Sequence, residues 1–343
     1  MILALAQEIA MRKNEVNDEV ETIYFGGGTP SVLSTAEINF LIEKVYQNYT
    51  VIENPEITLE ANPDDLDFEK IKELSSSKIN RLSIGIQSFF EEDLKMMNRA
   101  HNAQQAKDSL EIARQYFDNI TIDLIYGIPN MSAQRWIENI EFALSFGVPH
   151  ISAYALTVEP KTALRKLIDK GVIPQPKDEV AESHFFLLMK ILEEKGFIHY
   201  ELSNFGKEGY FSKNNTSYWS GKKYTGIGPS AHSYNGTHRS WNISNNAIYI
   251  KEIQNRNLPS EIEKLTLSDR YNEYIMTGLR TIWGVSLERI RAEFGQEYYD
   301  YLLKSSEKFL ENNLLQVKNG KIIITPEGRF LSDGIASELF MVD

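Results

Sequence analysis

From residue 22 onward the chain alternates short apolar segments rich in β-branched residues with stretches whose apolar positions recur at helical spacing. The apolar segments are TIYFGG (22–27), EITLEAN (56–62), RLSIGIQ (81–87), ITIDLIYGI (120–128) and HISAYALTV (150–158). Between them lie amphipathic runs such as STAEINFLIEKVYQNY and SAQRWIENIEFALSF. Strand and helix in regular alternation predict parallel strands joined by right-handed crossovers, an α/β barrel or open sheet. Ahead of the first strand, MILALAQEIAMRKNEV keeps helical periodicity, and Gln7 and Glu8 interrupt it too early for a signal peptide.

Each predicted strand ends in polar or glycine-rich residues: 26–29, 60–62, Gln87, and Asp123 within its strand. In parallel α/β folds the carboxyl ends of the strands gather at one rim, where ligands bind. After residue 160 the pattern changes. A helix is expected over 179–195, then YELSNF (200–205), then a Gly, Asn, Ser and Tyr-rich stretch to about residue 246, suited to covering a pocket. Helical signals return at Thr266, and KIIITPEGRFLSD (321–333) reads as a strand, a turn and a helix start. The expected organisation is a barrel core over 1–160, the remainder of the barrel with an aromatic, loop-rich region over 161–264, and a small helix-rich domain over 265–343.

Composition narrows the function. A net charge of −12 argues against nucleic acid, whose binders display a basic face. No apolar run approaches the ~20 residues of a spanning helix, so a cytoplasmic protein is expected. Cysteine is absent, which removes disulfides, thiolate nucleophiles and Cys-ligated zinc or iron–sulfur clusters together. No catalytic residue and no metal ligand set is assigned.

The strongest local feature is YFGGGTPS (24–31), directly after a strand. Its glycines let a ligand approach the backbone closely, and exposed N–H and C=O groups suit a phosphate or the zwitterionic head of an amino acid. The spacing matches neither a P-loop nor a dinucleotide fingerprint, and a purely structural tight turn is the competing reading.

GGGTPS, LEANP, RLSIGIQSF, RAH, DLIYGIP and SAYALTVEP, in that order, resemble the radical S-adenosylmethionine family that includes oxygen-independent coproporphyrinogen III oxidases and heme chaperones. The resemblance implies a partial (β/α)6 barrel of TIM type holding S-adenosyl-L-methionine across the strand ends. It implies that Gly27, Gly28 and Thr29 hold the methionyl amino and carboxylate groups, that Glu60 and Asp123 are acids meeting the cofactor, that Gln87 and Arg99 are polar contacts, and that Ala155 lies beside the adenine. Without the resemblance, Glu60, Asp123 and Arg99 read as an ion-pair network under the rim, or Glu60 and Asp123 as an acid/base pair acting on a small polar substrate. The family also carries a [4Fe–4S] cluster on a CxxxCxxC motif after its first strand, and this sequence has neither. The resemblance places Met1 in the first helix, so the expectation is that the first strand and its cluster loop lie upstream; a paralogue that lost its cluster is the alternative. Losing a strand outright would leave an unpaired edge at the site.

YELSNF, KNNTSYW (213–219) and GIGPSAHS (226–233) resemble the HemW branch. That branch implies heme or porphyrin as partner, delivery to an unidentified heme protein, and a setting that includes peripheral association with membrane heme proteins. The alternative within the family is radical decarboxylation of coproporphyrinogen III in porphyrin biosynthesis. The branch reads HNxxYW, whose His is the candidate heme ligand; here Asn214 stands in that place, followed by Asn215, Tyr218 and Trp219. An amide ligates heme iron poorly compared with imidazole. His232 is the candidate substitute, with a hydrogen-bonded loop histidine as the competing reading. Tyr218, Trp219, Tyr224 and Trp241 either face a porphyrin ring or fill the core.

Overall fold

The computed structural model describes residues 1–342. Its first half runs α1 (Ile2–Met11), β1 (Val20–Phe25), α2 (Thr35–Asn48), β2 (Val51–Ala61), α3 (Phe68–Ser75), β3 (Arg81–Gln87), α4 (Glu91–Met96), α5 (Ala103–Tyr116), β4 (Ile120–Tyr126), α6 (Ala133–Ser145) and β5 (His150–Ala155). The five strands are parallel and pair in chain order, as the alternation predicts. Helix starts are fixed by side chains that satisfy free N–H groups: Ser34 with Glu37 and Asn102 with Gln105 form capping boxes, and Asp67 and Ser132 cap α3 and α6.

Side chains alternate faces along a strand. Ile57, Leu59, Leu82, Ile84, Ile122, Leu124 and Ile151 point to the helices and meet Ile38, Ile42, Ile71, Leu110, Trp136 and Ile140 in one core. The opposite parity is polar and faces inward: Glu56, Thr58 and Glu60 on β2, Arg81 on β3, Thr121 and Asp123 on β4, His150 and Ser152 on β5. Buried polar groups require partners, and those nearest the amino ends of the strands find them in each other. Arg81 donates to Asn119 and Thr121. Thr121 meets His150 Nδ1 at 3.1 Å, and His150 Nε2 lies 2.7 Å from the Tyr200 hydroxyl. Burial, then the Arg81 charge, holds His150 well below the ordinary histidine range, so it stays neutral. This network closes the bottom of the barrel.

The chain continues through α7 (Ala163–Asp169), α8 (Asp178–Glu194), β6 (Ile198–Glu201) and β7 (Asn204–Gly206). β7 pairs antiparallel with β5 and β6 with β7, giving a seven-stranded sheet in the order β1-β2-β3-β4-β5-β7-β6. The YELSNF segment is therefore a hairpin extending the parallel sheet. At the other end β1 pairs, among the described residues, only with β2, and α9 (Lys213–Trp219) packs alongside it. A second sheet of β8 (His232–Tyr234), β9 (His238–Asn242) and β10 (Ser260–Lys264) carries α10 (Asn246–Gln254), whose Tyr249 and Ile253 pack on Ala4 of α1. Last come α11 (Leu267–Leu279), β11 (Val285–Ser286), α12 (Leu287–Phe294), α13 (Gln296–Glu311), β12 (Leu315–Lys318), β13 (Lys321–Ile324) and α14 (Ser332–Glu338), with their own core around Tyr271, Ile275, Leu302, Ile322 and Ile335. Among the described residues no helix is long and apolar enough to cross a membrane.

Candidate functional site

The parallel register brings one end of each strand to the same rim. Phe25 lies opposite Leu59, Ala61 opposite Ile84, Gln87 opposite Leu124 and Tyr126 opposite Ala155. The glycine loop after β1, Glu60, Gln87, Asp123 and Ala155 thus share one edge of the barrel, with Arg99 in the segment that follows β3 and α4.

Within that edge, Glu60 holds the loop. The Tyr24 hydroxyl donates to its Oε1 at 2.6 Å and the Gly27 N–H to its Oε2 at 3.2 Å. Burial, then the Glu60 charge, pushes the Tyr24 phenol up, so it remains a donor. Gly26 makes the approach feasible: a Cβ there would stand 2.5 Å from the Tyr24 ring and 2.8 Å from Glu60 Oε1. Gly27 takes φ +76°, a region that side chains disfavour. Gly27 and Gly28 have nothing within 4 Å of where a side chain would begin, so this stretch of backbone faces open space.

Asp123 lies deeper, opposite Ser152. Desolvation first, and the Glu60 charge second, raise its pKa to about 7. Arg99 is exposed overall; partial desolvation lowers its pKa while the Asp123 charge opposes that shift. It forms no ion pair with Asp123 or any other acid among the described residues. Gln87 ends β3 at φ +66° and is 8% exposed, its amide fitting where Gly85 lacks a Cβ. Ala155 ends β5, exposed, on the parity of Ile151 and Ala153 rather than of the inward-facing acids.

The second group of expected site residues is elsewhere. Glu56, midway along β2 and opposite Thr22 of β1, accepts from the backbone N–H groups of Lys213 (3.0 Å) and Asn214 (2.9 Å), which fixes the start of α9. The Asn214 amide oxygen accepts from Thr22 Oγ1 at 3.1 Å. Thr22 and Glu56 precede Gly26 and Glu60 by four residues, about 13 Å along a strand. Asn214 and the glycine loop therefore do not meet.

The aromatic residues divide as well. Tyr218 is 44% exposed and sits edge-on to Tyr224 at 4.6 Å, and Tyr224 contacts Tyr234 at 6.2 Å. Tyr234 and His232 are two apart on β8 and so share a face, on which Trp241 lies opposite His232, ring centroids 6.1 Å apart. Tyr218, Tyr224, Tyr234, Trp241 and the exposed His232 thus border one aromatic surface. Trp219 packs under the Arg280 guanidinium, 5.1 Å from its ring centroid.

Sequence reasoning missed the residue that anchors this surface. Glu8 of α1 is fully buried; it accepts from the Gly228 N–H (2.8 Å), Asn242 Nδ2 (2.7 Å) and the Tyr249 hydroxyl, and pairs with Arg12 at 3.6 Å. In the sequence it reads as an ordinary polar position of an amphipathic helix. Glu56 had a signal, since it alternates with Thr58 and Glu60 along one strand face.

The rim's donors and acceptors, a glycine backbone open to solvent with one carboxyl and one free guanidinium nearby, suit a small zwitterion. A [4Fe–4S] cluster finds no such fit. The sequence contains no cysteine, and among the described residues no group of three or more His, Asp or Glu could hold a metal ion.

The Radical SAM superfamily profile matches residues 3–143, and that of the HemN C-terminal domain matches residues 265–331. The heme chaperone HemW of Bacillus subtilis is 34% identical over 92% of this chain and 84% of its own length. That of Lactococcus lactis is 33% identical over 95% of this chain and 86% of its own. Among solved structures, coproporphyrinogen III oxidase (HemN) from Escherichia coli superposes with a TM-score of 0.83 over 98% of this chain and 82% of that one; at 22% identity it shares the fold. Ordered strand-end motifs, a half-barrel of the HemN type and one-third identity over nine tenths of the sequence together place this chain in the HemW family of radical S-adenosylmethionine proteins.

Proposed function

We propose that the protein handles heme in the manner the HemW name describes, binding S-adenosylmethionine at the barrel rim and heme on the aromatic surface beside α9. The supporting observation is sustained identity to curated heme chaperones, reaching 34% over 92% of the chain. Coproporphyrinogen oxidation has only the shared fold in its favour.

At the rim, the backbone of Gly27, Gly28 and Thr29 would receive the amino-acid head, Arg99 its carboxylate, and Asp123 its ammonium or a ribose hydroxyl. Gln87 offers an amide, Ala155 a small surface for the adenine, and Glu60 keeps the loop in place. S-adenosylmethionine would supply a cleavable sulfonium whose reduction needs a cluster, and the residues present do not fit one. On the aromatic surface, planar rings suit a porphyrin face, and His232 presents an exposed imidazole, whereas Asn214 is already engaged by Thr22.

Two titrations test the two halves separately. Calorimetry with S-adenosylmethionine is expected to show one site, weakened by Asp123→Ala; no heat would remove the rim assignment. Hemin is expected to give a ligated absorption spectrum that changes in His232→Ala, and identical spectra would remove His232 as the ligand.

A further inference from the structure

The barrel joins the C-terminal helices along β6. The Leu202 N–H donates to the Arg280 carbonyl (2.9 Å) and the Ile282 N–H to the Tyr200 carbonyl (3.0 Å), forming a backbone seam. Beside the seam lies a cavity of about 10 Å³ whose lining includes Glu201, Arg280 and Ser332. Each contributes a buried polar atom that has no partner among the described residues: Glu201 Oε2, Arg280 Nε and Ser332 Oγ. Glu201 is 2% exposed and Ser332 1%. Native interiors rarely leave such atoms bare.

The other carboxyl oxygen of Glu201 and a terminal nitrogen of Arg280 have partners, while Trp219 Nε1, next to Arg280, has none among the described residues. Glu201 Oε1 accepts from the Ser203 N–H (3.1 Å) and from Asn204 Nδ2. The terminal nitrogen of Arg280 donates to both oxygens of Asp333 on α14 (2.6 and 2.8 Å), and its flat face covers Trp219 of α9. What remains is one acceptor, one charged donor and one hydroxyl around a space that holds about one water centre. An anion there would face the Glu201 carboxyl, and a cation would face the guanidinium groups of Arg280 and Arg329. Water donates to the carboxyl and accepts from a guanidinium, and it fits a space of this size.

We infer that a single structural water occupies this cavity, bound by Glu201, Arg280 and Ser332, and that Arg280, held by this water and by Asp333, is a positioning residue for Trp219. The C-terminal helices thereby set the orientation of α9 without touching any ligand. This concerns the geometry of α9 and stands whether or not heme binds beside it.

Three measurements on the full chain test it. A high-resolution crystal structure is expected to show one peak within hydrogen-bonding distance of the three atoms; an empty cavity overturns the water. Ser332→Val and Ser332→Ala then give opposite signs for the two cases. With water present, the valine methyls displace it and strip Glu201 and Arg280, so Ser332→Val melts several degrees below Ser332→Ala, which leaves room for the water. In a dry cavity the methyls fill a void, and Ser332→Val melts above Ser332→Ala, overturning the inference. For the positioning role, Asp333→Asn is expected to raise acrylamide quenching of the Trp219 emission, isolated by subtracting a Trp219→Phe background, about twofold below the melting transition. Unchanged quenching overturns that role.

Discussion

Replacing Glu8 by alanine takes an acceptor from three buried donors, of which Asn242 Nδ2 keeps the Gly228 carbonyl at 2.9 Å, and leaves Arg12, 4% exposed, facing a lost counter-charge. A buried donor deprived of its acceptor costs about 1–3 kcal/mol, and removing one side of a buried ion pair costs about 3–5 kcal/mol. These figures count much of the same desolvation, so they overlap rather than add. Arg12 keeps Glu15 at 2.7 Å and the Gly226 carbonyl at 2.7 Å, which softens its loss. The expected destabilisation is about 3–5 kcal/mol, or roughly 4–7 °C in apparent melting temperature for a chain of this length. Glu8→Gln keeps the volume and one acceptor but sets an NH2 group against N–H donors, so its loss should be intermediate. Urea unfolding followed by far-UV circular dichroism gives the total, and Trp241 emission reports on the sheet that Glu8 pins. A Glu8→Ala protein within about 1 kcal/mol of the parent, the range of an ordinary surface change, would refute the reasoning. So would equal losses for Ala and Gln.

Further outcomes follow from the rim. Asp123 has a folded pKa near 7 against 3.8 in an unfolded chain, so the folded state holds its proton more tightly; this contribution to stability is full below pH 4 and lost as pH rises through 7. Asp123→Asn should therefore gain on the parent in melting temperature at pH 8 relative to pH 4, and S-adenosylmethionine affinity of the parent should rise from pH 6 to 8 as the carboxylate forms; a flat profile contradicts both. Gly26→Ala should displace Glu60 and loosen the loop, lowering stability as well as affinity. Gly28→Ala meets nothing in the protein and should leave the melting temperature unchanged while weakening S-adenosylmethionine about tenfold, about 1.4 kcal/mol; unchanged affinity by calorimetry would make the loop a structural turn. Anaerobic incubation with iron and sulfide should yield no iron–sulfur absorption, and stoichiometric bound iron and sulfide would contradict the ligand argument.

The parallel half of the fold was legible because each strand there is long enough to show its period and is separated from the next by a helix with a readable cap. The β6–β7 hairpin was not, because strands of four and three residues carry no periodicity and exist by pairing with β5. The β8–β10 sheet escaped for a related reason: its strands are His, Ser, Arg, Glu and Lys-rich, held by registry and by Glu8 instead of an apolar face. At the rim, glycine and acid positions could be named because strand ends in a parallel sheet must converge. The pairing of Tyr24 and Gly27 on Glu60 could not, since it depends on how far the loop folds back.

What the sequence could least convey is that the two groups of expected ligand residues occupy different parts of the barrel. KNNTSYW sits almost 190 residues after GGGTPS, and nothing in either motif states where α9 lands. The determining contact is a carboxylate on β2, Glu56, capping the amino end of α9 at the level of Thr22 rather than of Glu60. The buried Arg81–Thr121–His150–Tyr200 chain then fills the barrel at that lower level. Asn214 and the glycine loop consequently share no side-chain contact, and their common reference frame is the scaffold itself. Two fixtures carry that frame: α1, which packs on α2 behind the glycine loop and pins the Gly228 turn through Glu8, and Arg280, which ties Trp219 to the C-terminal helices. The first is a buried polar junction, whose geometry is either fully made or costly to lose; the second is half-open, its Asp333 facing solvent while Arg280 covers Trp219, so orientation is held more sharply at α1 than at α9.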